Sequence, residues 1–385
     1  MKIGILTQPL QANYGGIIQN WALQQTLGRL GHQPETIFRQ YDSPEPSLSL
    51  YFRRCLSFGK CLFKRLILRN KSVGLMNPFG RMYLPMDSNW LKNPFADTTF
   101  VSDRIQKTKP LYSDTEMRRA IQHNNYDAFI VGSDQVWREE YSPRIQSYFL
   151  DFLSESDKRK RIAYAASFGK ERDYISPENM SECRRLLGRF DAVSVREAEG
   201  IDIVRRDFGR EQVEKVLDPT LLLSEADYGR IIDARERRNE PYLATYILDQ
   251  TNDKANIIGS VAAERGLSVN AIDIEVRPGK MSTMSQWLSN FAYADFVVTD
   301  SFHGCAFSII FGKPFIAIAN PERGLGRFLS LLGDFGLMDR LVYGSDDFTA
   351  RRRQLLAPID YASVRQRHAA LRQHSLTWLK TALEK

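Results

Sequence analysis

The chain has 385 residues, 43% of them hydrophobic and 26% charged, with a formal net charge of +7. That length accommodates two ordinary domains, and the composition excludes a disordered or fibrous chain. The four cysteines (Cys55, Cys61, Cys183, Cys305) are scattered, with no CxxC pair and no His/Cys cluster, which argues against a zinc site or disulfide framework and fits a reducing compartment.

KIGILT reads as a short strand at the very start, so no signal peptide is expected. No apolar run reaches the roughly 18 residues of a spanning helix, and the expectation is a cytoplasmic protein. After the loop QPLQANYGG, a helix runs from about Ile17 to Leu30 and stops at Gly31. Between Glu45 and Asp87 there is no acidic residue, but there are eight basic ones: Arg53, Arg54, Lys60, Lys64, Arg65, Arg69, Lys71 and Arg81. That segment sets the charge of the whole chain. On a helical wheel Phe52, Cys55, Leu56, Leu62, Phe63 and Leu66 fall on one side and Arg53, Lys60, Lys64, Arg65 and Lys71 on the other. A basic amphipathic helix of this kind suits an anionic membrane surface. Gly59 interrupts it, and two short helices or a solvated lid on its own domain are the alternatives. No nucleic-acid motif accompanies the basic stripe, so no nucleic-acid partner is expected.

YDAFIVGSD (126 to 134) and RIAYAASFG (161 to 169) are strands that end in small-residue loops. A helix over 177 to 188 follows, then the strand FDAVSVRE (190 to 197), a helix, and VEKVLDPT (213 to 220). After the charged break RERRNEP (235 to 241) the pattern restarts with YLATYILD, a helix near 254 to 265, SVNAIDI and a helix near MSQWLSNFAYA. It ends with ADFVVTDSFHGCAFSIIFGKPFIAI (294 to 318), a strand, polar loop, apolar helix, turn and strand. Strands alternating with helices mean parallel sheets covered on both faces. The expected class is α/β, with two Rossmann-like domains facing across a cleft. The expected division is 1–188 with a basic insertion at about 50–86, then 189–360, then a helix over 361–385 packing back on the first domain.

Each candidate group has a plainer alternative. Asn13, Tyr14 and Gly15 precede a helix whose free N–H groups suit an anion or sugar, although a tight turn needs the same glycines. Asp134, Gln135 and Trp137 supply the carboxylate, amide and aromatic face of an acceptor-sugar pocket, or Asp134 is a helix cap. Arg196 ends an apolar strand, where its planar fork suits a phosphate or carboxylate; an ion pair with Glu197 or Glu199 is the alternative. His303 follows a buried strand, with Asp300 three residues earlier to orient the ring or raise its pKa. Ser301 can donate to a phosphate, and Lys313 occupies the next turn.

Taken together, NYGGIIQNWALQQTLGRLGH, YDAFIVGSDQVW, DAVSVRE and ADFVVTDSFHGCAFSIIFGKPFIAI resemble, in this order, the polysaccharide pyruvyl transferase family. The resemblance implies a two-domain fold of the glycosyltransferase-B type. It implies transfer of the enolpyruvyl unit of phosphoenolpyruvate onto two sugar hydroxyls, releasing phosphate and leaving a cyclic ketal. Arg196 matches an arginine that binds phosphoenolpyruvate, and His303 matches the catalytic histidine. Many members read Arg-x-His where this chain has Ser301-Phe302-His303, so Lys313, Arg323 or Arg327 must supply the missing charge. No metal and no cofactor is implied, since phosphoenolpyruvate is a co-substrate. Acceptors in the family are cell-surface polymers, such as capsule or exopolysaccharide, or their polyprenyl-diphosphate-linked precursors. Residues 50–72 would then hold the protein peripherally on the inner face of the plasma membrane. Two rival readings share the architecture: a nucleotide-sugar glycosyltransferase, and a non-catalytic scaffold of polysaccharide assembly.

Overall fold

The computed structural model describes residues 1–10, 13–41, 98–272, 282–320 and 324–384, with positions 56, 58, 60, 62 and 63. In chain order the first part gives β1 (Lys2–Leu6), α1 (Tyr14–Arg29), β2 (Gln33–Thr36), α2 (Thr98–Arg104), α3 (Asp114–His123) and β3 (Ala128–Val131). β4 (Lys160–Ala166), α4 (Pro177–Leu187), β5 (Ala192–Val195), α5 (Ala198–Phe208) and β6 (Glu214–Lys215) complete it. The strands pair in parallel in the order β2-β1-β3-β4-β5-β6.

The second part begins with a short helix, α6 (Glu225–Gly229), and then β7 (Tyr242–Tyr246), α7 (Asn252–Arg265) and β8 (Ser268–Ala271). α8 (Met284–Ala292), β9 (Phe296–Thr299), α9 (Phe302–Ile310), β10 (Phe315–Ile318) and α10 (Leu325–Phe335) follow. β11 (Leu341–Val342), α11 (Ser345–Leu355) and α12 (Tyr361–Glu384) end the chain. This sheet is also parallel, in the order β11-β10-β9-β7-β8. AFIV, FVVT and FIAI are buried at every position, as central strands covered on both faces must be, whereas SVNA at the sheet edge is largely exposed.

The observed division corrects the one read from the sequence. β5 and β6 belong to the first sheet, so the domains meet after Lys215 and before Tyr242, not at residue 188. The connection opens with a single 3-10 turn, Pro219–Leu222, which packs on α1, α9 and α12. α12 starts against the second domain, where the Tyr361 hydroxyl donates to the Ser308 carbonyl at 3.3 Å. It ends against the first, where Lys160 Nζ donates to the Leu383 carbonyl at 2.6 Å. A continuous apolar core runs through Ile17 and Trp21 of α1, Tyr228 of α6, Phe307 of α9 and Leu379 of α12, so the two sheets share one interior.

Most of the basic segment 50–72 lies outside the described residues. The positions that are described within it are helical, and Leu56 and Phe63 are exposed. No helix among the described residues is long and apolar enough to cross a membrane.

Candidate active site

In a parallel α/β sheet the loops after the strands collect at one edge, and here the two such edges face each other. From the first domain come Asn13 after β1, Asp134 after β3, Arg196 and Glu197 after β5, and Asp218 after β6. From the second come Phe302 and His303, which open α9, and Arg327 in the first turn of α10. Asn13 is the cap of α1: its Oδ1 accepts from Gly16 N at 3.1 Å, and its Nδ2 donates to Asp134 Oδ2 at 3.2 Å. The helix therefore begins at Tyr14, one turn earlier than the sequence reading, and Tyr14 and Gly15 are inside it. Asp134 holds a left-handed backbone (φ 71°), an uncommon conformation for a residue with a side chain and one that clusters at functional sites.

Asp218 is the centre of the arrangement. One of its oxygens, Oδ1, accepts from the Thr220 N–H at 3.0 Å and its hydroxyl at 2.7 Å. The other, Oδ2, accepts from Ser133 Oγ at 3.1 Å and Arg196 Nη1 at 2.9 Å, and lies 4.0 Å from His303 Nε2. Arg196 also faces Asp134 at 3.5 Å and Glu197 at 3.7 Å, and its guanidinium lies 4.4 Å from the centre of the Phe302 ring. Burial works against the charged Arg196, and Asp218, Asp134 and Glu197 outweigh it and raise its pKa. Burial likewise works to raise the Asp218 carboxyl, and Arg196 and His303 hold it below the usual carboxylate range.

His303 is only 7% exposed, and that burial lowers its pKa despite Asp218 and Asp134 nearby. Near neutral pH its surroundings therefore hold the ring uncharged. Arg327 is pushed down to about 10, first by burial and then by Arg196. Three buried polar atoms here make no hydrogen bond among the described residues: His303 Nε2, 4.0 Å from Asp218, and Arg196 Nε and Glu197 Oε2, which face each other as an ion pair at 3.7 Å. Buried polar atoms without a hydrogen bond are uncommon, and each calls for an explanation.

Close approach of the two domains is built with glycine. A Cβ on Gly15 would fall within the His303 ring, beside Nδ1. Gly324 (φ 84°) lets the loop before α10 touch the Gly169 carbonyl, which a Cβ would strike.

Several expected site residues lie elsewhere. Asp300 does not orient His303. Its carboxylate accepts from Leu248 N at 2.6 Å, Asp249 N at 3.2 Å, Lys254 Nζ at 2.8 Å and Asn320 Nδ2 at 3.1 Å, and Asp218 is the carboxylate beside the ring. Lys313 precedes β10 and so occupies the opposite edge of the sheet, facing Asp295 and Glu225. Trp137 is fully buried, donating to the Tyr148 carbonyl at 3.2 Å and stacking on Phe149, and offers no face to a sugar. Tyr14 is also buried, stacked on Trp287 at 5.6 Å across the domain boundary. Gln135 stays beside the cleft, where its Oε1 accepts from Arg138 Nη1 at 3.1 Å. Ser301 is the N-terminal residue before α9 and is buried, but its side chain makes no capping bond. Arg323 lies outside the described residues. The ion pair of Arg196 with Glu197, the alternative read from the sequence, is present at 3.7 Å. Asp218 was not foreseen; its signal is Asp-Pro-Thr after a strand, where an acid caps a turn at a sheet edge.

Two parallel α/β domains that bring their carboxyl edges to one polar cleft make a fold of the glycosyltransferase-B type. The family model described as polysaccharide pyruvyl transferase matches residues 13–322, and the chain belongs to that family. No curated protein matches the chain significantly. Among solved structures, the fold is similar to a UDP-GlcNAc 2-epimerase from Neisseria meningitidis bound to UDP-GlcNAc, with a TM-score of 0.52, 10% identity and 100% of each chain covered. It is similar also to the S. aureus MnaA–UDP co-structure, with a TM-score of 0.50, 12% identity, and 94% of this chain and 90% of that one covered.

Proposed function

We propose that the chain joins the three-carbon unit of phosphoenolpyruvate to two hydroxyls of a sugar in a cell-surface polysaccharide or its lipid-linked precursor. The observation that supports this reading is the buried cluster of His303, Arg196 and Arg327 about Asp218, in which His303 Nε2 and Arg196 Nε make no hydrogen bond among the described residues. Arginine and histidine there suit a donor that carries both a carboxylate and a phosphate.

The chemistry follows from the residue types. Burial keeps the His303 ring neutral, and the donor's negative charge would draw a proton onto it. The imidazolium gives that proton to the methylene carbon of the donor while a sugar hydroxyl oxygen bonds C2, and that hydroxyl's proton passes to the ring. A second hydroxyl oxygen then bonds C2 as the bond from C2 to the phosphate oxygen breaks, and the phosphate departs with the second hydroxyl's proton. Arg196 and Arg327 stabilise the departing phosphate.

Calorimetric titration with phosphoenolpyruvate, with UDP as control, tests the donor. The wild type is expected to bind phosphoenolpyruvate, and Arg196→Ala and Arg327→Ala to bind it about tenfold or more weakly. Titrations in two buffers of different ionisation enthalpy are expected to show proton uptake in the wild type and none in His303→Gln. Binding of UDP without phosphoenolpyruvate would replace this reading with a nucleotide-sugar transferase. Phosphoenolpyruvate bound but never consumed would point to the scaffold. Residues 50–72 are proposed to hold the protein on an anionic membrane; their deletion is expected to abolish sedimentation with anionic vesicles.

A further inference from the structure

We propose that Asp218 is a positioning residue that holds Arg196 and His303 about one oxygen and ties their geometry to the seating of the two domains. The inference rests on the reading of this cleft as the reaction site.

The carboxylate is fixed before it meets either partner. Thr220 takes Oδ1 with two donors, and Ser133 takes part of Oδ2. What remains of Oδ2 faces Arg196 Nη1 from the first domain and His303 Nε2 from the second. Asp218 is the carboxylate nearest to both, 2.9 Å from Arg196 and 4.0 Å from His303. Asp134 also faces both, from farther off: its Oδ1 lies 3.5 Å from Arg196 while its Oδ2 accepts from Asn13, and Glu197 faces Nε of the guanidinium.

The support for Asp218 comes from the segment between the domains. The 3-10 turn that Asp218 caps packs on α1, α9 and α12, and α12 grips it from outside. His368 Nε2 meets the Leu221 carbonyl at 2.7 Å, and Arg372 Nε donates to the Leu222 carbonyl at 2.6 Å. A shift of one domain against the other therefore moves the carboxylate relative to the ring. The charged groups facing His303 are Asp218 from this segment, Asp134 from the loop after β3, Arg196 from the end of β5 and Arg327 from α10. Asp218 is the foremost of the two carboxylates that favour the charged ring, and Asp134 is the second.

The test reads the His303 ring directly. Its NMR resonance, assigned by its loss in His303→Gln, is titrated in the wild type and in Asp218→Asn. The midpoint is expected to fall by about 1 pH unit in the variant, since an opposite charge at this distance favours the imidazolium by that order. Phosphoenolpyruvate affinity is expected to fall about tenfold with it. Asp218→Glu, which returns the charge but not its place, is expected to recover the ring's midpoint and not the affinity. An unchanged midpoint in folded Asp218→Asn would overturn the proposal, as would full affinity in Asp218→Glu. Should Asp218→Asn lose its near-ultraviolet circular dichroism, Thr220→Ala is read instead. It loosens the carboxylate and keeps the charge. A displaced midpoint with weakened affinity supports the proposal, and wild-type values for both overturn it. The ring titration needs no donor, so a wild type that binds no phosphoenolpyruvate defeats the proposed function while the ring still decides this inference.

Discussion

His303 is held from both sides: Nδ1 lies against Gly15 of α1, and Nε2 faces Asp218 across 4.0 Å. A ring so confined has little freedom to choose another partner, which suits the proton transfer proposed for it. His303→Gln is expected to keep the fold and to lose rate by about 10²- to 10⁴-fold, measured as phosphate release from phosphoenolpyruvate. Gly15 carries a second prediction. An added methyl has no room beside the ring, so Gly15→Ala is expected to cost about 1–3 kcal/mol in a urea titration and to reduce turnover with it. A variant as stable and active as the wild type would show that α1 and α9 are not seated against each other as described. The histidine was legible in the sequence because it follows a buried strand. Its carboxylate partner was not, because Asp218 lies 85 residues away and reaches the ring only through the joint between the sheets.

At the scale of elements, the alternation of strand and helix was readable throughout, and so was the placing of Arg196 and His303 after strands. Lys313 shows where the reading fell short. It lies before a strand, and in a parallel sheet that alone sends it to the far edge. Trp137 shows the opposite failure: the aromatic that could have faced a sugar was claimed by Phe149 and the Tyr148 carbonyl, a choice made by tertiary packing. α12 carries the prediction that belongs here. Ser375 Oγ accepts from Leu217 N at 2.9 Å and donates to the Leu371 carbonyl at 2.8 Å in a fully buried place. Ser375→Ala leaves the Leu217 N–H unpaired and is expected to destabilise by about 1–3 kcal/mol, read from the shift of the urea midpoint. An unchanged midpoint would mean that the helix does not hold the joint.

For the whole molecule, the buried histidines make stability depend on pH below neutrality. His303 and His368 are both lowered from 6.5, in each case chiefly by burial. The unfolded chain therefore binds more protons than the folded one just below 6.5, so stability rises with pH there. Their contribution is complete above 6.5 and is lost as pH falls through the lower folded values; the Asp218 carboxyl, lowered from 3.8, acts only at more acid pH. Thermal midpoints compared at about pH 7.5 and about pH 5.5 are expected to drop in the wild type and to drop less in His303→Gln. Equal drops would place the acid sensitivity elsewhere.

The domain boundary was beyond the sequence, since SVRE and VLDPT look alike whichever sheet receives them; the pairing of Ala192 and Val193 with Ile162 and Ala163 of β4 puts β5 in the first sheet, and β6 follows by pairing with β5. The path of α12 has one more consequence. The first structural unit is made of two separated stretches of chain, its six strands and, at the other end, the helix that closes on Lys160 and Tyr164. A hybrid made by a single crossover between the domains would pair each first sheet with a foreign closing helix. Exchange of whole domains among relatives of this architecture therefore calls for two crossovers, and natural variation in substrate choice has an easier route through the loops at the cleft.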